Sequence, residues 1–199
     1  MGEIRSAIDI ALEKTAHIEG DKTGSENREL RNAGKRAASE FLETENPETL
    51  AKSLAGTGSE QSRMILEGAL SILIAAVKLP STEGDLARSD RIGAALEIAL
   101  PGRGMQQLFG QVAQILKQYL DERANLRVAL EQQLAPKLKA KQQEFARRYG
   151  QNAPMDINQD PEFAAAYSKS VRMLEQKYGA IVDEIRFRVR EAAGMAEDQ

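Results

Sequence analysis

The chain is predicted to be all-α, on three observations. No stretch of its 199 residues alternates apolar and polar side chains with the period of two that marks a half-buried strand. In the C-terminal half, apolar residues recur at steps of three and four over two long stretches, as on one buried helical face. Cap-plus-proline signals, Asn46-Pro47-Glu48 and Asp160-Pro161-Glu162, stand where helices would begin. Together these predict an N-terminal cluster of about five helices followed by a long antiparallel helical hairpin. Residues 1–103 would form the cluster and 104–199 the hairpin, or both one continuous domain.

A first helix is expected over Glu3–Ile18, with Ile4, Ile8, Ala11 and Leu12 on one face, and Gly20–Gly24 should break it. Ser25 can cap a second helix to Leu42, whose face of Leu30, Ala33, Ala37 and Phe41 is thin and which Gly34 weakens. Asn46-Pro47 opens a short third helix to Ala55, and Gly56–Ser59 is a loop. The most apolar helix then runs from Ser59 or Glu60 to Leu79, where Pro80 stops it. A further helix starts at Ser81 or Thr82 and reaches Leu100, and Pro101-Gly102-Arg103-Gly104 turns the chain.

The hairpin's first helix should span Gly104–Tyr149, on a stripe that includes Leu108, Val112, Ile115, Tyr119, Leu126, Leu130, Leu134 and Leu138. The stripe lapses at Asp121-Glu122-Arg123, and Pro136 lies inside it, so a kink is expected there. Gly150 suits a left-handed C-cap. Turn residues fill Gln151–Gln159. The second helix follows Asp160 on the stripe Phe163, Tyr167, Val171, Leu174, Tyr178, Ile181, Ile185, Val189 and Ala192, and Gly194 ends it. Leu116, Leu120, Val128, Met173 and Val182 fall partly off these stripes and would need another partner.

The opening stretch Glu3-Ile4-Arg5-Ser6-Ala7-Ile8-Asp9-Ile10-Ala11-Leu12-Glu13-Lys14-Thr15 resembles the start of an uncharacterised family of bacterial cytoplasmic all-helical proteins. The resemblance implies a bacterial cytoplasmic source, and no functional residue comes with it.

Composition narrows the chemistry. Aromatics are 5% and Trp is absent, so the core is built from Ala, Leu, Ile and Val. Zero Cys excludes disulfides, thiolate nucleophiles and Cys-based zinc sites. A net charge of −3 argues against general nucleic-acid binding, which needs positive charge. Glu3, Asp9 and Glu13 stand where a secretion signal would be apolar. Met64–Leu79 is too short to span a bilayer and is interrupted by Glu67 and Lys78.

No catalytic, cofactor-binding or metal-ligating set assembles from these residues. His17 is the only histidine, with Glu13 one turn away, and a metal site needs three or four ligands. Gly20-Asp21-Lys22-Thr23 lacks the spacing of a phosphate-binding loop. Gly102-Arg103-Gly104 could offer backbone N–H groups to an anion at a helix start. Met1-Gly2 with Ser6 fits an N-myristoylation pattern that a bacterial source argues against. Lys137, Lys141 and Arg148 line up with Glu144 on one stripe that could dock an anion or an acidic protein partner.

The expectation is a non-enzymatic helical interaction or scaffold protein, a self-associating homo-oligomer and most simply a dimer. It would need no cofactor. Two alternatives stay open: an anion- or nucleic-acid-binding regulator using Lys137–Arg148, and an enzyme with carboxylate chemistry that the sequence does not display.

Overall fold

A computed structural model describes residues 7–55, 59–150 and 156–195, with side chains from residue 24 onward apart from those at 59, 149 and 158. Among the described residues the chain forms six α-helices and no strand: α1 (Ala7–Thr44), α2 (Pro47–Ala55), α3 (Ser59–Ala76), α4 (Ala87–Ala99), α5 (Met105–Tyr149) and α6 (Pro161–Ala192). Short 3-10 turns occupy Glu83–Asp85 and Ile157–Gln159. None of these helices is long and apolar enough to cross a membrane. The chain divides into two compact units, Met1–Ala76 with Arg91–Gln106, and Val77–Asp90 with Gln107–Gln199.

In the first unit the N-terminal helix differs from expectation. α1 passes through Gly20 and Gly24 without a break, merging two expected helices into one of 38 residues. A helical glycine costs about 1 kcal/mol relative to alanine, too little to end a helix with intact turns on both sides. α1 stops instead at Glu45, in the left-handed region at φ 58°, whose N–H donates to the Phe41 carbonyl. Asn46 then caps α2 by accepting from the Glu48 N–H at 3.0 Å.

α1 packs on α3 with nothing between the backbones. A Cβ on Gly34 would stand 1.9 Å from the Ile65 carbonyl oxygen, and one on Gly68 2.0 Å from that of Arg31. The pairs Gly34–Ile65 and Arg31–Gly68 show the helices crossing in opposite directions. Ala37, Ala38 and Phe41 continue the α1 side of this seam, and Ile65, Ala69, Leu70, Leu73 and Ile74 the α3 side, all buried. Met64, Leu66 and Ile72 of α3 are half-buried. Arg31 reaches Glu67 at the rim (3.1 Å), while Arg91 ties α4 to the end of α1 through Glu45 (3.0 Å) and the Leu42 carbonyl (3.2 Å).

α3 ends at Ala76, three residues before the expected stop, because Pro80 drives the residue before it out of the helical region. α4 begins at Ala87, later than Ser81 or Thr82. The Asp85 carboxylate accepts from the N–H groups of Ser81 (2.8 Å) and Thr82 (2.9 Å) and holds the intervening turn.

In the second unit, the two long helices have the ends that their sequences dictate. Asp160 caps α6 by accepting from the N–H groups of Glu162 (2.8 Å) and Phe163 (3.2 Å), with Pro161 in the first turn. Gly150 ends α5 at φ 66° and Gly194 follows α6 at φ 68°. α5 continues through Pro136, which lies on the exposed side where the carbonyl that loses its N–H partner can bond water. At about 1.5 Å per residue, the 45 residues of α5 run about 67 Å and the 32 of α6 about 48 Å.

The buried stripe of α5 keeps Val112, Tyr119 and Leu134 of the expected set and departs from it elsewhere. Met105, Phe109, Val112, Leu116 and Tyr119 are buried, at steps of 4, 3, 4 and 3, while Leu108 and Ile115 are only half-buried. That is the 3.5-residue spacing of left-handed helix pairing, not the 3.6 of a straight helix. On α6, Tyr178, Val182, Ile185 and Val189 are buried and Ile181 and Leu174 are half-buried. Leu116 and Val182, expected to lack a partner, are thus core residues. Of the off-stripe set, Leu120 is half-buried and only Val128 and Met173 are exposed.

The two kinds of helical glycine predict opposite effects. Gly34→Ala is expected to destabilise by about 1–3 kcal/mol, because its methyl group meets backbone that cannot move aside. Gly179→Ala, with open space around the new Cβ, is expected to stabilise by about 0.5–1 kcal/mol. Denaturant unfolding of both variants checks the signs. A second pair tests the corrected α6 stripe: Val182→Asp should lose helicity at room temperature and Leu174→Asp retain most of it.

Candidate interaction surface

The second unit holds the stripe of Lys137, Lys141 and Arg148 that the sequence offered as a dock. Between Tyr119 and Leu134 on α5, and between Phe163 and Tyr178 on α6, no described side chain is buried. Polar and aromatic cross-links take over in those intervals. The Tyr178 hydroxyl donates to Glu122 at 2.8 Å, and Lys177 reaches the same carboxylate at 3.1 Å. The Tyr119 ring meets Tyr178 edge-on, centroids 5.3 Å apart. Further along, the Arg127 guanidinium stands 5.9 Å from the centroids of both Phe163 and Tyr167, which stack on each other. Arg127 is also bridged to Glu131 at 2.9 Å. The contacts climb α5 as they descend α6, which fixes the two helices antiparallel within this unit.

The stripe proposed as an anion dock lies at the far end of the same pair. Lys141 pairs with the buried N-cap carboxylate of Asp160 at 2.6 Å and reaches Glu162 at 3.6 Å. Lys137 pairs with Glu162. Arg148 pairs with Glu144 one turn back on α5. The structure thus brings Lys137 and Lys141 together around the start of α6, and it leaves Arg148 a turn away on its own partner. All three cations are already held by carboxylates, so an incoming anion would have to displace them.

The electrostatics follow from these pairings. The Lys141 hydrogen bond holds the Asp160 carboxyl below the usual carboxylate range, and the same bond raises Lys141. Lys137 lowers Glu162. Glu122 is lowered first by the Tyr178 hydroxyl and then by Lys177. Burial, then the hydrogen bond to Glu122, pushes the Tyr178 phenol up to about 12. Burial also raises Tyr119.

The other candidates resolve plainly. The turn at Gly102-Arg103-Gly104 carries its own anion: the Glu97 carboxylate accepts from the N–H groups of Gly102 and Gln106, both at 3.2 Å. The backbone of His17 lies in α1, and its side chain and that of Glu13 fall outside the described residues, as do Met1 and Gly2. No metal-holding cluster occurs among the described residues. Glu26, Glu29 and Glu60 rim a shallow cleft on α1 and α3.

Sequence reasoning overlooked Glu122, Arg127 and Tyr178 as the cross-linking set. One signal pointed there: the lapse of the apolar stripe at Asp121-Glu122-Arg123, where a helix still needing a partner turns polar.

The profile of a family of unknown function, DUF6657, matches residues 51–191. No curated protein and no solved structure matches the chain. The matched span takes in α3 to α5 whole, the last five residues of α2 and all of α6 but its final residue, and it leaves out the Glu3–Thr15 stretch.

The shifted groups predict how the helix pair responds to pH. The Tyr178 phenol ionises later in the fold than the ordinary value of about 10, so its contribution is whole below pH 10 and is lost as the pH rises through about 12. Asp160, Glu162 and Glu122 are lowered, so theirs is present above about pH 4 and lost as the pH falls through the lowered values. Circular dichroism should show both limits. Tyr178→Phe should weaken the pair near neutrality and flatten the loss between pH 10 and 12, leaving that part of the acid limit set by Asp160 and Glu162 in place.

Proposed function

Because the chain belongs to the DUF6657 family, whose function is unknown, we propose from its own geometry that it is a non-enzymatic helical interaction or scaffold protein. It works in the cytoplasm as a self-associating homo-oligomer, a dimer in the simplest case. Its architecture in this reading is a helical cluster followed by a long antiparallel hairpin. The hairpin is the contact element.

One observation carries the reading. α5 and α6 are the chain's longest stretch of paired helix, yet beyond Tyr119 they are joined mainly by cross-links that satisfy their own charges. Glu122, Asp160, Glu162, Lys137, Lys141 and Lys177 each have a partner on the opposite helix. A carboxylate poised for proton transfer is typically raised by burial or by a like charge. The carboxylates here are lowered by cations and hydroxyls, which suits a stiff element that presents surface. The anion-dock alternative is less favoured, since Lys137, Lys141 and Arg148 are neutralised in place.

Light scattering behind size exclusion tests the proposal. The expected mass is near twice the 21.9 kDa of one chain at micromolar concentration. A mass of one chain at every concentration would overturn self-association.

A further inference from the structure

The side of α5 turned away from α6 carries charges that nothing among the described residues answers. Lys117, Asp121, Ala124, Val128, Ala135 and Lys139 recur there at steps of four, three, four, seven and four, and all are exposed. Val128 is half exposed, an apolar side chain in the middle of that face. Among the described residues Asp121 and Lys139 take part in no ion pair or hydrogen bond. On the opposite side of the same helix, Lys137 and Lys141 are bound to α6 carboxylates.

We propose, building on the self-association reading, that this outer face of α5 is the seam of a homodimer. Two copies lie antiparallel about a twofold axis near Leu130, so that Asp121 of each copy meets Lys139 of the other. The charge pattern selects this arrangement over its competitors. A parallel, in-register pair would set Lys117, Asp121 and Lys139 each against its own copy. An antiparallel pair centred on Val128 would set Lys117 against Lys139. Moving the axis by half a turn to Leu130 removes both conflicts and forms two unlike pairs, one on each side of the axis. Val128 then faces Gln132 of the other copy, and Ala124 and Ala135 let the helices approach closely. A polar residue in such a seam costs some stability and fixes register. The contact runs about 40 Å along α5, from Lys117 to Gln143.

Sedimentation velocity from micromolar to hundred-micromolar chain, on wild type, Asp121→Lys, Lys139→Asp and the double reversal, tests the seam. All positions are exposed, so circular dichroism should give every variant the wild-type spectrum. The wild type should sediment as a dimer. Each single reversal sets two like-charged pairs across the seam and should raise the dissociation constant about tenfold or more, while the double reversal should return it to within about threefold of wild type. A wild-type dimer indifferent to all three variants overturns the seam and leaves the scaffold reading standing. Single reversals that weaken the dimer without rescue by the double reversal overturn the Asp121–Lys139 register. A wild type that is monomeric throughout overturns both proposals.

Discussion

A pair of helices can bury only the stripe that each turns to the other, and the second unit is shaped by that limit. Where α5 and α6 have dense apolar burial, from Met105 to Tyr119 and from Tyr178 to Val189, hydrophobic contact suffices. Past those stretches the buried residues thin out to Leu134 and Phe163. What keeps the helices in register there is a ladder of specific contacts: Glu122 with Tyr178 and Lys177, Arg127 over Phe163 and Tyr167, Lys137 and Lys141 on the start of α6. Apolar stripes can slide by a turn at little cost, whereas a hydroxyl–carboxylate bond and a cap carboxylate held by a lysine each have one geometry. The polar links therefore fix the alignment that the apolar stripe leaves loose.

The first unit meets the opposite constraint. Its core holds one large aromatic side chain among the described residues, Phe41, so much of the area must come from closeness. Gly34 and Gly68 let α1 and α3 approach until a methyl group would strike the facing carbonyl, and Ala37, Ala38 and Ala69 extend the contact. Each glycine weakens its own helix slightly. The closer packing it permits outweighs that weakening, since dispersion contacts fall away quickly with distance.

These differences explain what the sequence could and could not reveal. Helix ends were legible because capping is local: Asp160-Pro161-Glu162, Asn46-Pro47 and Gly150 each act on N–H or carbonyl groups within a turn. The period of each stripe was legible too, and its phase in part: Val112, Tyr119, Leu134, Phe163, Tyr178, Ile185 and Val189 were placed on the buried face, whereas Phe109, Leu116 and Val182 were not. A helical residue advances by about 100°, so Leu108 and Phe109, or Ile181 and Val182, border the same face, and only the partner decides which is buried. Gly34 looked like a flaw, because its effect depends on the neighbouring helix, which sequence periodicity does not reveal, and Gly20–Gly24 looked like a break that the intact turns on both sides carry the helix across. The candidate stripe at Lys137, Lys141 and Arg148 was legible as a line of cations. Its neutralisation by Asp160 and Glu162 lies across the turn between the long helices, and so escapes any local pattern.

Beyond the reach of dense apolar burial, α5 and α6 hold together along their shared length through these cross-links. Native-state amide hydrogen exchange tests it most directly, because exchange reports which stretches open together. The predicted result is protection that extends past Tyr119 through Leu138 on α5 and across Tyr167–Lys177 on α6, the two stretches opening together and losing protection together when Tyr178 is replaced by Phe. Amides beyond Tyr119 that exchange as fast as an isolated helix, while those at Met105–Tyr119 stay protected, would contradict it.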